Sequence, residues 1–240
     1  ARTKRLGIGT SVLILPAYHP VFTAKALATI DVLSGGRLTV AVGIGAEEPQ
    51  ELEALNVPKS ERGRRLNESI ELIKRLWTEE RVTYQGEFYR VTNLSLWPRP
   101  VRRAGVDILA GGATAAILRR VARLCDGWLP SYVTPEEVRA GIGTIRARAA
   151  DANRIMADDA FGVLVPFTFG PRAPDWLARR RPDLVASAFV ASGPSIVIRD
   201  FLKRYVAAGA TRLLLAPAYS EDIQLERIRA ELAAPLEEMW

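Results

Sequence analysis

One cysteine and one histidine in 240 residues leave little room for two common chemistries. Cys125 cannot close an internal disulfide. It lies near the end of an apolar helical stretch, where a buried, inert thiol is expected. With His19 as the single imidazole and no His/Cys/Asp cluster at metal-ligand spacing, no metal centre is expected. No apolar run reaches the length of a membrane span, so no membrane association is expected. No run of five like charges and no basic–aromatic block is present, so nucleic acid is not an expected partner. An anionic small ligand suits the net charge of +6 equally well. There is no GxxxxGK[ST] stretch, so a P-loop nucleotidase is unsupported. Arg2 to Ala17 imitates a signal peptide, basic residues before an apolar run. That run flows directly into a well-formed strand–helix–strand unit, so a reduced cytoplasm is the expected compartment.

What is present is ordinary globular composition, 48% hydrophobic and 25% charged, in a chain long enough for one large α/β domain or two small ones. The stretch from Leu6 to Glu47 organises the rest. It reads as a strand (Leu6–Thr10), a loop with Pro16 and Pro20, a helix (Val21–Leu33), a Gly35-Gly36 stop, a strand (Leu38–Val42) and Gly43-Ile-Gly45. Pro20 suits a first helical turn and Gly35 the left-handed residue after the last. Two parallel strands joined by a helix belong in a sheet buried on both faces, with ligands beyond the strands' carboxyl ends.

Further along, Ser60 is expected to cap a helix over Glu61–Trp77, with Glu61–Arg65 and Glu71–Arg75 four apart. Val82-Thr-Tyr and Phe88-Tyr-Arg-Val91 read as a hairpin. Val106–Ala110 is a strand, and Gly111-Gly112-Ala113-Thr114 opens a helix. Trp128-Leu129 is a short strand, and Thr134-Pro-Glu-Glu137 opens a helix to about Asp151. Ala160–Phe169 is a strand, Pro171 to Gly193 is irregular, and Pro194–Ala208 is a helix. Thr211–Ala216 is the last strand and Glu221–Leu232 the last helix. Six strand–helix units in series with no linker imply a parallel sheet wrapped by helices in a single domain, residues 1–240. Periodicity alone leaves open an open doubly wound sheet or a (β/α)8 barrel lacking two units.

Each motif has a plainer reading beside the functional one. Gly43-Ile-Gly45 lacks the third glycine of a dinucleotide fingerprint, since Glu48 stands there, and a strand-to-loop turn explains it as well. Gly111-Gly112-Ala113-Thr114 frees the backbone before a helix, which makes an anion site; the alternative is a tight turn with Thr114 as N-cap. His19 could act as a general acid or base, although a lone histidine before a proline at a helix start is more often a cap. Glu47, Glu48 and Glu51 follow glycines at a strand's carboxyl end, where barrel active sites gather. Asp31 and Arg37 flank a helix stop and read as a structural ion pair.

In order along the chain, Gly9-Thr-Ser-Val-Leu-Ile-Leu-Pro16, His19-Pro20, Ala24-Lys25, Asp31-Val-Leu-Ser-Gly-Gly-Arg37 and Val42-Gly-Ile-Gly45 resemble the luciferase-like monooxygenase family. Glu61-Arg-Gly63, Leu76-Trp-Thr78, Gly86-Glu-Phe-Tyr89, Pro98-Arg-Pro100, Gly111-Gly112 and Asp126-Gly-Trp128 continue the match, which runs from Leu6 to about Pro217. The resemblance is nearest to the branch dependent on the deazaflavin coenzyme F-420. It implies a (β/α)8 TIM-barrel oxidoreductase binding coenzyme F-420 or FMN at its carboxyl face and acting on a small-molecule substrate, with a homodimer as the implied assembly. It further implies cofactor contacts from Thr10, Ser11, Val12 and Ile14, with a non-proline cis peptide at Ser11–Val12. Gly43 and Gly45 would lie beside the ring, and Ala110, Gly111, Gly112, Ala113 and Thr114 would receive the phosphate. Ala46 stands where relatives carry a glutamate or tryptophan. The implied catalytic residues are therefore Glu47, as the substitute acid, and His19. The chain also begins at the family's third strand, so an incomplete barrel of six units is expected, with edges at residues 6–10 and 211–216 and dependence on a partner subunit or upstream residues.

Overall fold

The computed structural model describes residues 3–45 and 49–234. They gather into two compact units, one of the described residues up to Gly111 with Arg119–Gly127, the other of Gly112–Leu118 with the described residues from Trp128 onward.

In the first unit, β1 (Ile8–Ile14) leads through a 3-10 turn at Leu15–Ala17 into α1 (Pro20–Ser34) and β2 (Leu38–Gly43). Short α2 (Pro49–Ala54), α3 (Arg62–Thr78), the hairpin strands β3 (Val82–Gln85) and β4 (Arg90–Leu94), and β5 (Asp107–Gly111) follow. β1, β2 and β5 are parallel neighbours in that order. Leu13 lies opposite Val42 and Val42 opposite Ala110, so the three carboxyl ends line up. α1 buries Ala24, Leu27 and Ala28 and ends, as expected, on Gly35 at φ +71°. α3 buries Leu66, Ile70, Ile73 and Trp77, and Trp77 Nε1 donates to Ala24 O at 2.9 Å, tying α3 to α1. Cys125 is fully buried.

In the second unit, Trp128 and Leu129 of β6 (Gly127–Leu129) precede α5 (Pro135–Asp151), β7 (Gly162–Thr168), α6 (Asp175–Ala178), β8 (Ala191–Ser192), α7 (Ser195–Ala207) and β9 (Arg212–Pro217). β7 and β9 are parallel from Gly162↔Arg212 to Phe167↔Pro217, and Trp128 bridges Phe161 in parallel. α5 opens at Thr134-Pro-Glu-Glu137, as the sequence predicts, and the structure adds a full capping box of Thr134 with Glu137. α4 (Ala115–Leu124) follows the Gly111-Gly112 turn and belongs to this unit only as far as Leu118. The last helix is broken into a 3-10 turn at Ser220–Asp222, α8 (Leu225–Arg227) and a π turn over Ile228–Ala233.

All six expected strands form. β8 is an addition inside the stretch read as irregular: two residues that pair with Phe167 and Thr168. Among the described residues β1 has β2 as its one strand partner, and β9 has β7. Three local expectations are corrected. Ser60 does not cap α3; Glu61 holds that position without a side-chain cap because its carboxylate is taken by Arg65 at 2.8 Å. Arg75 pairs with Glu79 at 2.6 Å rather than with Glu71, which receives the Tyr84 hydroxyl at 3.4 Å. Asp31 and Arg37 do not pair: buried Asp31 accepts from Val101 N at 2.8 Å, while Arg37 Nε donates to Ser34 O at 2.7 Å. No helix of the described residues is long and apolar enough to cross a membrane.

Candidate active site

Parallel neighbours present their carboxyl ends on one side, so the ends of β1 and β2 share a neighbourhood. Thr10 Oγ1 donates to Ala41 O at 2.8 Å, and the register then slips between Thr10 and Leu13. Inside that bulge the Ser11–Val12 peptide is cis, as the resemblance implied. Ser11 is exposed and Val12 is 41% exposed. The bulge sits in space that Gly43 leaves free: a Cβ there would fall 2.7 Å from Val12 Cγ2. Gly45, at φ +70°, leaves the same kind of space, since its Cβ would fall 2.6 Å from Leu52 Cδ1 and 2.7 Å from Ile14 Cγ2. A real Cβ does not approach that closely, so both glycines answer a steric demand beyond turn formation. Buried Arg62 fixes the loop from below, its Nη1 donating to Gly45 O at 2.8 Å. Glu47 and Glu48 lie outside the described residues.

The second glycine turn begins where β5 ends. Ala110 is fully buried, whereas Gly112, Ala113 and Thr114 are exposed. Gly112 takes φ +88°, and its carbonyl accepts Trp128 Nε1 at 2.7 Å, which holds the turn. Thr114 Oγ1 accepts from Ile117 N at 3.4 Å, so the capping role is present, and the turn still carries the exposed amides of a helix start.

His19 caps α1, its Nδ1 accepting from Val21 N at 3.3 Å. The ring of Tyr89 meets it edge-on, centroids 5.4 Å apart. Tyr89 is 7% exposed, and its amide donates to Glu68 Oε1 at 3.0 Å. Burial alone would lower the Arg65 guanidinium; hydrogen bonds to Glu61 and to the Tyr89 side chain hold it above its usual value. Sequence reasoning gave no role to Arg62, Glu68 or Tyr89. The motifs Glu61-Arg-Gly63 and Gly86-Glu-Phe-Tyr89 held the signal for Arg62 and Tyr89; Glu68 lies in neither.

Beyond β7, the segment Pro171–Val190 has its own small core of Leu177, Phe189 and Val190. A cavity of about 290 Å³ there is lined by Arg172, Asp175, Ser187 and Ser192 among prolines and alanines. Arg181 fastens the segment: Nη2 reaches Glu137 Oε1 and Asp183 Oδ2, each at 2.8 Å, and Nη1 donates to Tyr132 O at 2.9 Å. Among the described residues no three metal-ligating side chains converge.

Parallel strands joined through helices, with their carboxyl ends aligned, define an α/β protein of the (β/α)8 barrel class. The chain belongs to the luciferase-like monooxygenase family, whose profile matches residues 1–238. Over 131 residues it is 42% identical to an F420-dependent glucose-6-phosphate dehydrogenase of Segniliparus rotundus, covering 53% of this chain and 38% of that protein. Over 153 residues it is 34% identical to an FMNH(2)-dependent dimethylsulfone monooxygenase of Pseudomonas putida, covering 62% of this chain and 42% of the other. The chain thus spans about two fifths of the length of each. The crystal structure of the monooxygenase RslO1 from Streptomyces bottropensis superposes with a TM-score of 0.79 at 24% identity, covering 98% of this chain and 80% of that one. That likeness establishes the shared fold.

Proposed function

We propose that this chain carries the cofactor-binding part of an oxidoreductase that uses coenzyme F-420 and acts on a small organic substrate. The observation that carries the reading is the Ser11–Val12 bulge seated against Gly43, which brings exposed backbone to the carboxyl ends of β1 and β2. When bound, the coenzyme supplies the hydride acceptor or donor at C5. Thr10, Ser11, Val12 and Ile14 form the platform for its ring, with Gly43 and Gly45 keeping side chains out of the way. In the other unit, the exposed turn Gly112-Ala113-Thr114 is by itself a candidate anion site. Glu47 and His19 are the candidates for handling the substrate oxygen.

A second reading, a reduced-FMN monooxygenase, draws on the 34% identity to the dimethylsulfone enzyme. Fluorescence titration with F-420 and with FMN separates the two. F-420 binding followed by substrate-dependent bleaching of its absorbance supports the first reading. Tight FMN binding with oxygen uptake replaces it with the second, and binding without turnover marks a non-catalytic cofactor carrier.

A further inference from the structure

The two long helices of the first unit, α1 and α3, meet solvent differently. α3 exposes Arg64, Glu71 and Thr78. Its buried acid, Glu68, accepts from Phe88 N and Tyr89 N, each at 3.0 Å, in space that Gly86 leaves free. α1 carries only Lys25 and Asp31 as charged residues, and Asp31 is buried with Val101 N as its donor. One face of α1 buries Ala24, Leu27, Ala28 and Asp31. The opposite face holds Phe22, Ala26, Thr29 and Leu33, spaced four, three and four, as in a seam between two helices. Phe22 is 71% exposed and Leu33 81%, with Ile30 at 41% and Val32 at 43% on the flanks. Thr29 makes no polar demand on a partner, because its hydroxyl already donates to Lys25 O at 2.8 Å. A helix apolar on every side is ordinarily covered, and a contiguous apolar patch at the surface marks an interface.

We propose that two copies of this chain associate through α1, packed antiparallel about a two-fold axis. The argument for a second copy is that the seam fits itself. A two-fold contact requires a self-complementary patch. With the axis between Leu27 and Ala28, Phe22 meets the partner's Leu33, and Ala26 meets the partner's Thr29. Large side chains then close both ends, and small ones sit at the crossing, where the helices can approach to about 8–10 Å. The area is sufficient. At about 150–200 Å² for a fully exposed side chain of this size, Phe22, Ile30, Val32 and Leu33 offer about 400 Å². Ala26, Thr29 and the stem of Lys25 bring the total for two copies to about 1,000 Å², the lower bound of a specific interface. Lys25 lies at the margin of the seam, where its stem covers apolar surface and its ammonium stays in water. A contact of this size, between copies that each carry a net charge of +6, is a reversible one. The proposal is independent of which cofactor binds.

Sedimentation velocity over a micromolar concentration series should show a monomer–dimer equilibrium. Leu33→Glu, which places a charge at both ends of the seam, should raise the dimer Kd about a hundredfold. Phe22→Ala should raise it about thirtyfold. Ile8→Lys, on β1, should leave it within about twofold. All three positions are exposed, and an unchanged circular dichroism spectrum verifies each fold. Because Cys125 is fully buried, introduced cysteines report alone. Under oxidised glutathione the double variant Ala26→Cys/Thr29→Cys should give a disulfide-linked dimer faster than either single variant. Equal rates in the single variants overturn the antiparallel geometry. A chain that stays monomeric throughout the series overturns the proposal and leaves the face to a different occupant. A dimer unchanged by Leu33→Glu and Phe22→Ala overturns it as well, and one lost instead in Ile8→Lys moves the contact to the edge of β1.

Discussion

At the end of β2 the shape of the site is set by side chains that are not there. Gly43 and Gly45 let Val12, Ile14 and Leu52 close to distances that no Cβ would permit. Beyond β7 the segment Pro171–Val190 adds charge to its small core of Leu177, Phe189 and Val190: Arg181 takes two carboxylates and a carbonyl, and the Glu137 it grips is the same residue that completes the capping box of α5. A steric lock is indifferent to pH and salt, whereas a lock of partly exposed ions responds to both. The platform proposed for the cofactor therefore rests on contacts indifferent to pH and salt, and the Pro171–Val190 segment rests in part on contacts that respond to both.

The strongest way to break that contrast is Gly43→Ala. Forcing a methyl against Val12 should cost about 1–3 kcal/mol, as overpacking does, visible as a lower urea midpoint and weaker cofactor binding. Adding Val12→Ala should recover most of both. A double variant no better than the sum of its parts would show that the Gly43–Val12 contact is not the cause. Next in size is Arg181→Ala. Its pairs are partly exposed, with side-chain exposures of 22% for Arg181 and 41% for Glu137, so the global loss should be about 1 kcal/mol or less. Amide exchange across residues 171–193 should nonetheless rise while the β1–β2 amides stay protected. Equal loosening of both regions would erase the distinction.

The smallest effect is acid sensitivity. The Arg181 guanidinium holds the Glu137 carboxyl below its usual 4.5, and it likewise holds Asp183 below its ordinary value. A carboxyl depressed in the folded state contributes fully above its ordinary pKa and loses that contribution as pH falls through the folded one. Trp176 fluorescence, reporting on the segment, should therefore shift as pH drops below 4.5, before the β1–β2 region responds. A flat signal until global unfolding would place the segment's stability elsewhere.

The elements that repeat or punctuate locally were legible in the sequence. Six strands, the His19 cap, the Gly35 stop, the Thr134–Glu137 helix start and buried Cys125 all follow from spacing or short-range chemistry. What stayed hidden depends on partners far along the chain or on competition among equals. Asp31 answers to Val101, seventy residues away. Arg75 had a glutamate four residues to either side and took the later one. β8 is two residues held by two pairings, too short to carry a period. In the candidate site the glycines were visible as turn residues, but their steric purpose needed Val12, Ile14 and Leu52 in place. Arg62 and Glu68 looked like ordinary charges on an amphipathic helix until burial showed otherwise.

The Glu68–Gly86 contact has a consequence for how such chains can diverge. With the Glu68 carboxylate seated where a Cβ would stand, 1.5 Å from it, any side chain at position 86 requires that carboxylate to move. A lineage that shortens or loses the acid frees the turn to mutate, and one that first acquires a side chain at 86 must expel the acid. The two positions should therefore covary as a pair across descendants, and an ancestor-to-descendant path between two hairpin shapes should pass through a change at 68 before any at 86.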